Sequence, residues 1–575
     1  MPSRPPELRL FEETTPQERL ASRRSAFAHQ IALVLLPTLR ALRRRGIWKA
    51  LAAPGGASAP DLARSSSARL GYLNVALRAL ASLGWLHGWR APVTWEDTQR
   101  GAALRLTPAG SAAFAELERA GDLFDASADF LDFGEGAEEW LFGPNPPPAP
   151  SPRAFVERVR AAELRGASGP VLDTFFQGLV LAPLLVALSR RGAFAVRGAG
   201  TDVCVHDCVE PAALGAMLRG RLETEVLPLL AAQGWAEGAP GELRLTPRGK
   251  IAVFLAPSYA ITLSYLPLFR HAEELLFGPR RFQDLFPRVQ GRETHLRRPL
   301  NIWGSGGAHD LYFRALGEAV QRLFAGPDPP LAICDTGCGD GSLLVHMHRI
   351  LAQRLHWDFR ARPVWFLGAD LNAESRRRAA RSLEEAGVPQ ARVIEADMDI
   401  NFPDRLAAEI AALRLPVRDP ESSATRPLAA ADALHTNSML IHNRVFLAPE
   451  PGGADPDSRT DGAYADETGA PVPGMLLQRN LADFLRRWAP HVRRYGWLFV
   501  ELHTLPVATV AADPLRTPTV AFDLTHGFTH QFTVEPDELL RAAAAAGMRP
   551  GPAEYQFRFP DPAQPRVSVM YLVKA

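Results

Sequence analysis

The sequence has little charge of one sign, little cysteine, almost no lysine and no long uninterrupted apolar run. Its 64 Lys and Arg stand against 63 Asp and Glu, and a net charge of +1 gives no electrostatic footprint for nucleic acid or an anionic membrane. No nucleic-acid partner and no membrane are therefore expected, a local basic patch aside. Cys204, Cys208, Cys334 and Cys338 are too few for a disulfide framework in 575 residues. The start, MPSRPPELRLFEETTPQERL, lacks the charged-then-apolar pattern of an export signal, so the expected compartment is the cytoplasm. No apolar run reaches the length of a membrane span without a charge; the best, residues 27–42, contains His29, Gln30, Pro37 and Arg40 and reads as an amphipathic helix. Only Lys49, Lys250 and Lys574 are lysine, a compositional habit that implies no function. What is left is ordinary globular composition, 47 % apolar and 22 % charged, in a chain long enough for three or four domains at roughly 150 residues each.

The first half repeats itself. LVLLPTLRALRRRGIW (33–48) has a counterpart in LVLAPLLVALSRRGAF (179–194), with Pro37 answering Pro183 and Gly46 answering Gly192. LGWLHGW around Trp85 answers QGWAEGA around Trp235, LRLTPAG (104–110) answers LRLTPRG (243–249), and EEWLFGP (138–144) answers EELLFGP (273–279). Matches in one order imply a duplication. Each copy reads as helices followed by a small hairpin, the winged-helix pattern, which serves either DNA binding or docking. The candidate recognition stretch, residues 59–80, carries Arg64, Arg69 and Arg78 but no dense basic stripe. PNPPPAPSP (144–152) predicts a stiff linker between the copies. Cys204 and Cys208 lack a second ligand knuckle and read as ordinary reduced cysteines rather than a zinc clip.

From Ala332 onward strand-like and helix-like segments alternate, which predicts an α/β domain with a parallel sheet. LAICDT, VWFLGADLN, RVIEADMDI, DALHTNSML and WLFVELHTL are the candidate strands, and EYQFRFP with VSVMYLVKA a closing antiparallel hairpin. The first strand runs into Asp335-Thr336-Gly337-Cys338-Gly339-Asp340-Gly341, where glycines let the backbone approach a ligand. The loop is neither a triphosphate-binding P-loop nor the full dinucleotide fingerprint. It resembles the DxGxGxG signature of class I S-adenosylmethionine-dependent methyltransferases. That resemblance implies a Rossmann-like, seven-stranded fold in which Asp335, Gly337 and Gly339 cradle the cofactor. Asp370 with Leu371 would take the ribose end, and Asp397 with Met398 the adenine. Upstream, Gly306, Gly307 and Tyr312 would cover the cofactor's methionine end, or else form an interdomain turn; His435 completes the cofactor-side set. The domain plan is thus 1–150 and 151–295 as two winged-helix-like repeats forming a lid, and 296–575 as the methyltransferase core.

Polar residues gather where the reacting methyl should lie. Strand four offers His435, Asn437, His442, Asn443 and Arg444, strand five Glu501 and His503, and the following loop Asp523, His526, His530 and Gln531. NSMLIHNR resembles the NVLHATR motif of polyketide synthase C-methyltransferase domains, which implies His442 as catalytic base paired with Glu501. Arg444 either grips a substrate carboxylate or pairs with a strand-end carboxylate, and Asn437 joins the catalytic set. The whole chain resembles the loading-module methyltransferases of the apratoxin and gephyronic acid type. That likeness implies a mononuclear iron or manganese centre, with His442, His526, His530 and Gln531 as ligands and His435 and His503 in reserve. It also implies an acyl carrier protein bearing malonyl-phosphopantetheine as partner and a downstream acetyltransferase-like decarboxylase domain. Residues 449–474 are expected to be an inserted mobile flap. The alternatives are a small-molecule O-methyltransferase with a histidine base, and a winged-helix regulator with a cofactor-sensing domain.

Overall fold

The computed structural model describes residues 9–143, 149–164, 170–194, 196–197, 203–205, 221–237, 244–289, 292–420, 422–449 and 458–575. Cys208 and much of the expected 144–152 linker lie outside them. Four helices of the front half position the site: α1 (Pro16–Arg44), α2 (Leu70–Ser82), α3 (Pro170–Arg190) and α4 (Pro247–Leu263). The repeated LxLTPxG segment has one physical explanation in both copies. Thr107 and Thr246 each cap a helix, accepting the N–H of Gly110 at 2.9 Å and Gly249 at 3.1 Å, and each donates its hydroxyl back to a hairpin glycine carbonyl. Proline fills the first helical position, where no N–H is needed. The glycine then passes so near the carbonyl of Trp85 or Trp235 that a Cβ would collide with it.

The long apolar segments of the two copies, α1 and α3, cross each other closely; a Cβ at Gly178 would stand 2.6 Å from the Cα of His29. The amphipathic expectation for residues 27–42 is corrected here: from Ala28 through Leu39 every residue of α1 is buried. The polar ones find internal partners, His29 with the Tyr259 hydroxyl at 3.2 Å and Gln30 with Ser258 at 3.2 Å. Two helices, Pro16–Arg44 and Leu172–Arg190, have the length and apolarity of a membrane span, and 83 % of the most apolar stretch of each is buried inside the protein. One apolar core holds residues of both copies together with Val510, Val520, Leu524 and Phe528 of the second half. The copies are therefore a single packed body.

The second half is a doubly wound sheet of eight strands: β1 (Ala332–Thr336), β2 (Trp365–Ala369), β3 (Ala391–Val393), β4 (Ala433–Ser438), β5 (Trp497–Leu502), β6 (Met548–Pro550), β7 (Phe557–Phe559) and β8 (Val567–Lys574). Their order is β3-β2-β1-β4-β5-β8-β6, parallel through β5 and antiparallel at β8, with β7 paired to the upper part of β8. The expected closing hairpin is β7–β8, and β6 is an additional strand. Both faces are covered, by α5 (Arg298–Ala325) among others on one side and α6 (Gly474–Trp488) on the other, so the central strands are apolar on both sides.

The front half sits against the carboxyl edge of this sheet. Every residue of α2 from Gly71 to Ser82, the recognition helix of the first winged helix, is buried, packed on α7 (Thr519–Phe528). Val75 fills the space over Gly527, where a Cβ would come within 2.5 Å of it. Arg78 is buried in an ion pair with Asp523 and also donates to the Thr504 hydroxyl at 3.0 Å and to the Leu505 and Asp461 carbonyls at 2.8 and 2.7 Å. The helix face that would read DNA is thus used for internal docking. Of the expected 449–474 flap, residues 450–457 lie outside the described residues, and 458–474 form a hydrogen-bonded, largely buried strap rather than a free loop. Its Gly469 carbonyl accepts the Gly71 N–H at 2.9 Å, and Glu535 and Glu538 accept the N–H groups of Asp461 and Arg459, each at 2.8 Å.

Candidate active site

At the end of β1 the chain turns through Gly337, Gly339 and Gly341, all with positive φ (77°, 56° and 80°), which only glycine adopts without strain. The N–H groups of Gly337 and Cys338 donate to Ala369 at the end of β2, at 2.7 and 3.0 Å, pinning the loop to its neighbour. Space above Gly339 is open, with no atom within 4 Å of where a Cβ would stand. Asp370 accepts the Gly339 N–H at 3.0 Å and the Asn372 N–H at 2.7 Å. Burial raises its carboxyl despite these two amides. Leu371 is 52 % exposed, an apolar side chain available to a flat ring, while Met398 is buried in the core. Asp397 pairs with Arg376 at 2.7 Å. Asp335 is buried, its carboxylate accepting the Thr436 hydroxyl at 3.0 Å, and burial pushes it up to about 7. Beside it, Asn437 is fully buried with neither its amide nitrogen nor its oxygen bonded to any described residue. These features fit a nucleoside-bearing cofactor: an open glycine cradle and a carboxylate at the end of β2.

The chemistry lies one strand further along. His442 sits in a single turn, Ile441–Asn443, directly after β4, and its Nδ1 bonds the carboxylate of Glu501 on β5. Glu501 also accepts the N–H groups of Ile441 and Leu502, both at 2.8 Å. Burial alone would raise this carboxyl, but the His442 imidazole and the Leu502 amide hold it below the usual carboxylate range. His442 thus faces the carboxylate with Nδ1–H, and its Nε2 has no hydrogen bond to a described residue. The ring of His526 on α7 lies 5.1 Å from that of His442, edge to face. Its own Nδ1 donates to the Phe522 carbonyl at 2.7 Å, and burial drives its basicity well down.

Other expected residues lie elsewhere. His435 is inside the core, its Nε2–H donating to Ala430 at 2.9 Å and its ring against Trp488, with burial pulling it down to about 4; it is set apart from the strand-end cluster. His530 turns at φ 58° away from His526 and bonds the Tyr72 hydroxyl of α2 at 2.7 Å. Gln531 donates to the Tyr265 hydroxyl at 3.5 Å. His503 is engaged at both nitrogens, by Val534 and Ser568. Arg444 pairs with no strand-end carboxylate among the described residues: it donates to Asn480 at 2.9 Å and to the Ile441 and Phe532 carbonyls at 3.2 Å, bracing the turn that carries His442, while its Nη2 is buried without a hydrogen bond. Gly306 and Gly307 lie in the interior of α5, neither a turn nor a loop, and Tyr312 packs on Phe559 of β7. Sequence reasoning saw Arg78 only as part of a recognition stretch and missed Arg566; both are buried at this edge, and nothing local marks an arginine as internal.

The parallel sheet with its reversed last strands, the glycine loop on β1 and the acidic end of β2 define an S-adenosylmethionine-dependent methyltransferase of class I. Residues 293–570 match the AprA MT2-like domain, 22–88 the AprA N-terminal domain and 177–279 the AprA winged helix domain. The chain belongs to the AprA-type methyltransferase family. Among solved structures it is similar to an O-methyltransferase family protein from Burkholderia thailandensis (12 % identity over 61 % of this chain and 82 % of that one, TM-score 0.34). It is likewise similar to the CMeT domain of the citrinin polyketide synthase (12 %, 80 % and 97 %, 0.31) and to the CurJ carbon methyltransferase (11 %, 80 % and 100 %, 0.29). No curated protein matches it.

Proposed function

We propose that this enzyme methylates the α-carbon of a malonyl or methylmalonyl group carried as a thioester on an acyl carrier protein. The observation that supports this reading best is the buried His442–Glu501 pair, which holds an imidazole with Nε2 unbonded beside the cofactor loop. Bound S-adenosylmethionine supplies an electrophilic methyl group on a sulfonium, which departs as a neutral thioether. His442 Nε2 takes the α-proton, the C–H electron pair becomes the enolate, and that carbon forms the new C–C bond. Glu501 stabilises the resulting imidazolium and fixes its tautomer. Asn437, with a free amide on the same face of the sheet, is the donor for the developing oxyanion. The winged-helix body closing the carboxyl edge keeps water from the enolate.

The residues expected to hold the implied iron or manganese are not gathered as a preformed ligand set. His442 and His526 are adjacent, while His530 bonds the Tyr72 hydroxyl through Nε2 and the Gln531 amide nitrogen reaches the Tyr265 hydroxyl at 3.5 Å, its oxygen taking no part in that contact. Among the described residues no group of three His, Cys, Asp or Glu side chains is arranged for a metal ion. No step is routed through one. Stoichiometric metal in purified protein, with activity lost on chelation and restored on readdition, would reinstate it. The central test is mass spectrometry of malonyl carrier protein incubated with enzyme and cofactor. Gain of one or two methyl groups on the acyl carbon is expected, and methylation of an oxygen instead would overturn the reading. The methylated malonyl product would then suit a decarboxylase of the acetyltransferase-like type.

A further inference from the structure

Arg566, the residue before β8, is 4 % exposed, and none of its three side-chain nitrogens has a hydrogen-bond partner among the described residues. Its only close packing of note is the guanidinium over the Phe522 ring at 5.3 Å. The carboxylate whose field it feels most is Asp523, which takes Arg78 and the Thr504 hydroxyl through Oδ2 and, although its Oδ1 is buried and unbonded, makes no hydrogen bond to Arg566. Arg566 also lies in the field of Tyr312, His503 and His526. A guanidinium carries five N–H donors, cannot be neutralised at physiological pH, and is strongly disfavoured in a core without an acceptor.

Its position says what the missing acceptor is for. Glu501 on β5 stands opposite Ser568 on β8, and Arg566 is two residues before Ser568, hence on the same face of the sheet and about 7 Å further toward the carboxyl edge. The cofactor loop is on β1, three strands away, about 14 Å laterally. Arg444, the arginine expected to meet the substrate, is held by Asn480, Ile441 and Phe532 through Nε and Nη1 and keeps Nη2 alone unbonded, whereas Arg566 has all three nitrogens unbonded.

We infer that Arg566 binds a free carboxylate on the acyl substrate, so that the enzyme selects a dicarboxylic acyl thioester of the malonyl class over acetyl or propionyl. The inference rests on the α-carbon reading above and names its specificity determinant. A planar carboxylate meets a guanidinium through two parallel N–H···O bonds, which fixes the orientation of the carbon between carboxylate and thioester. The same positive charge offsets the carboxylate that would otherwise oppose removal of the neighbouring proton.

The test is binding without turnover. Full-length enzyme saturated with S-adenosylhomocysteine is titrated calorimetrically with malonyl-pantetheine and, separately, with acetyl-pantetheine. Wild type should prefer the malonyl compound by about tenfold or more. Arg566→Met should lose that preference while leaving acetyl binding and S-adenosylhomocysteine affinity unchanged. It should also melt at a higher temperature, because a buried unpaired cation has been removed. Arg566→Lys, which keeps the charge but not the paired donors, should retain part of the preference. Weakened S-adenosylhomocysteine binding in Arg566→Met would overturn the proposal in favour of the cofactor's own carboxylate. A lower melting temperature with an unchanged malonyl-to-acetyl ratio would overturn it in favour of a structural arginine. If malonyl binding depends on Arg566 but methyl appears on oxygen, the clamp stands and the α-carbon reading falls; carbon methylation with no malonyl preference gives the converse.

Discussion

Glu501→Gln should separate acid-base chemistry from mere architecture. Three donors converge on the Glu501 carboxylate: His442 Nδ1–H and the Leu502 N–H on one oxygen, and the Ile441 N–H on the other. An amide of the same shape has one acceptor end. If its oxygen faces His442, its NH2 confronts the buried Ile441 N–H, at a stability cost of about 1–3 kcal/mol for an unsatisfied donor. If it flips, the imidazole must accept at Nδ1 and carry its proton on Nε2, the wrong tautomer for taking a proton. Loss of general-base action corresponds to about 3–5 kcal/mol in the barrier, or about 10²–10⁴ in kcat. The assay is the initial rate of methyl transfer to malonyl carrier protein, with S-adenosylhomocysteine affinity and urea denaturation measured on the same preparation. A kcat within a few fold of wild type, with cofactor binding intact, would refute His442 as a base oriented by Glu501.

His442→Ala should abolish methylation while leaving cofactor affinity within a few fold, and full turnover in that variant would show that another group takes the proton. Cofactor affinity should depend on pH through Asp335: burial puts its carboxyl near 7, a cationic ligand selects the ionised form, and binding should therefore strengthen as pH rises toward 7 and weaken by up to about tenfold per unit below it. Calorimetry with and without Asp335→Asn checks this, since the variant should lose the slope. Arg78→Met leaves Asp523 buried and unpaired and should cost about 3–5 kcal/mol in denaturant unfolding, with Asp523→Asn in the same chain recovering part of it. Gly339→Val should reduce cofactor affinity sharply, because its φ of 56° is strained for a branched residue and its Cβ enters the open cradle; equilibrium dialysis reads the loss.

The strands around the site were legible because β1, β2, β4 and β5 are buried on both faces and end abruptly in Gly, Asp, Asn or Glu, a pattern written within each segment. β6 was not, since Met548–Pro550 is three residues long, contains a proline and an arginine, and owes its strand character to β8 alone. The His442–Glu501 pair was legible through motif position. The histidines after it misled for a local reason: α7 stops at Phe528, so His526 and His530 do not share a helix face, and the left-handed turn at His530 sends it to Tyr72. The burial of α1 was hidden because the surface that covers it belongs to its own duplicate, more than a hundred residues away. The surroundings of Arg444 and Arg566 were hidden for the same kind of reason. Whether an arginine is spent on carbonyls or left free is decided by segments that meet only after folding.

The inward-facing recognition helix has a practical corollary for anyone recombining synthase modules. Severed near residue 295, the catalytic half would bare Val510, Val520, Leu524 and Phe528 together with Asp523 stripped of its cation. A donor fragment trimmed to the Rossmann-like portion would be a sticky, half-wrapped object, so a successful graft must carry the ancestral duplication along as part of the enzyme.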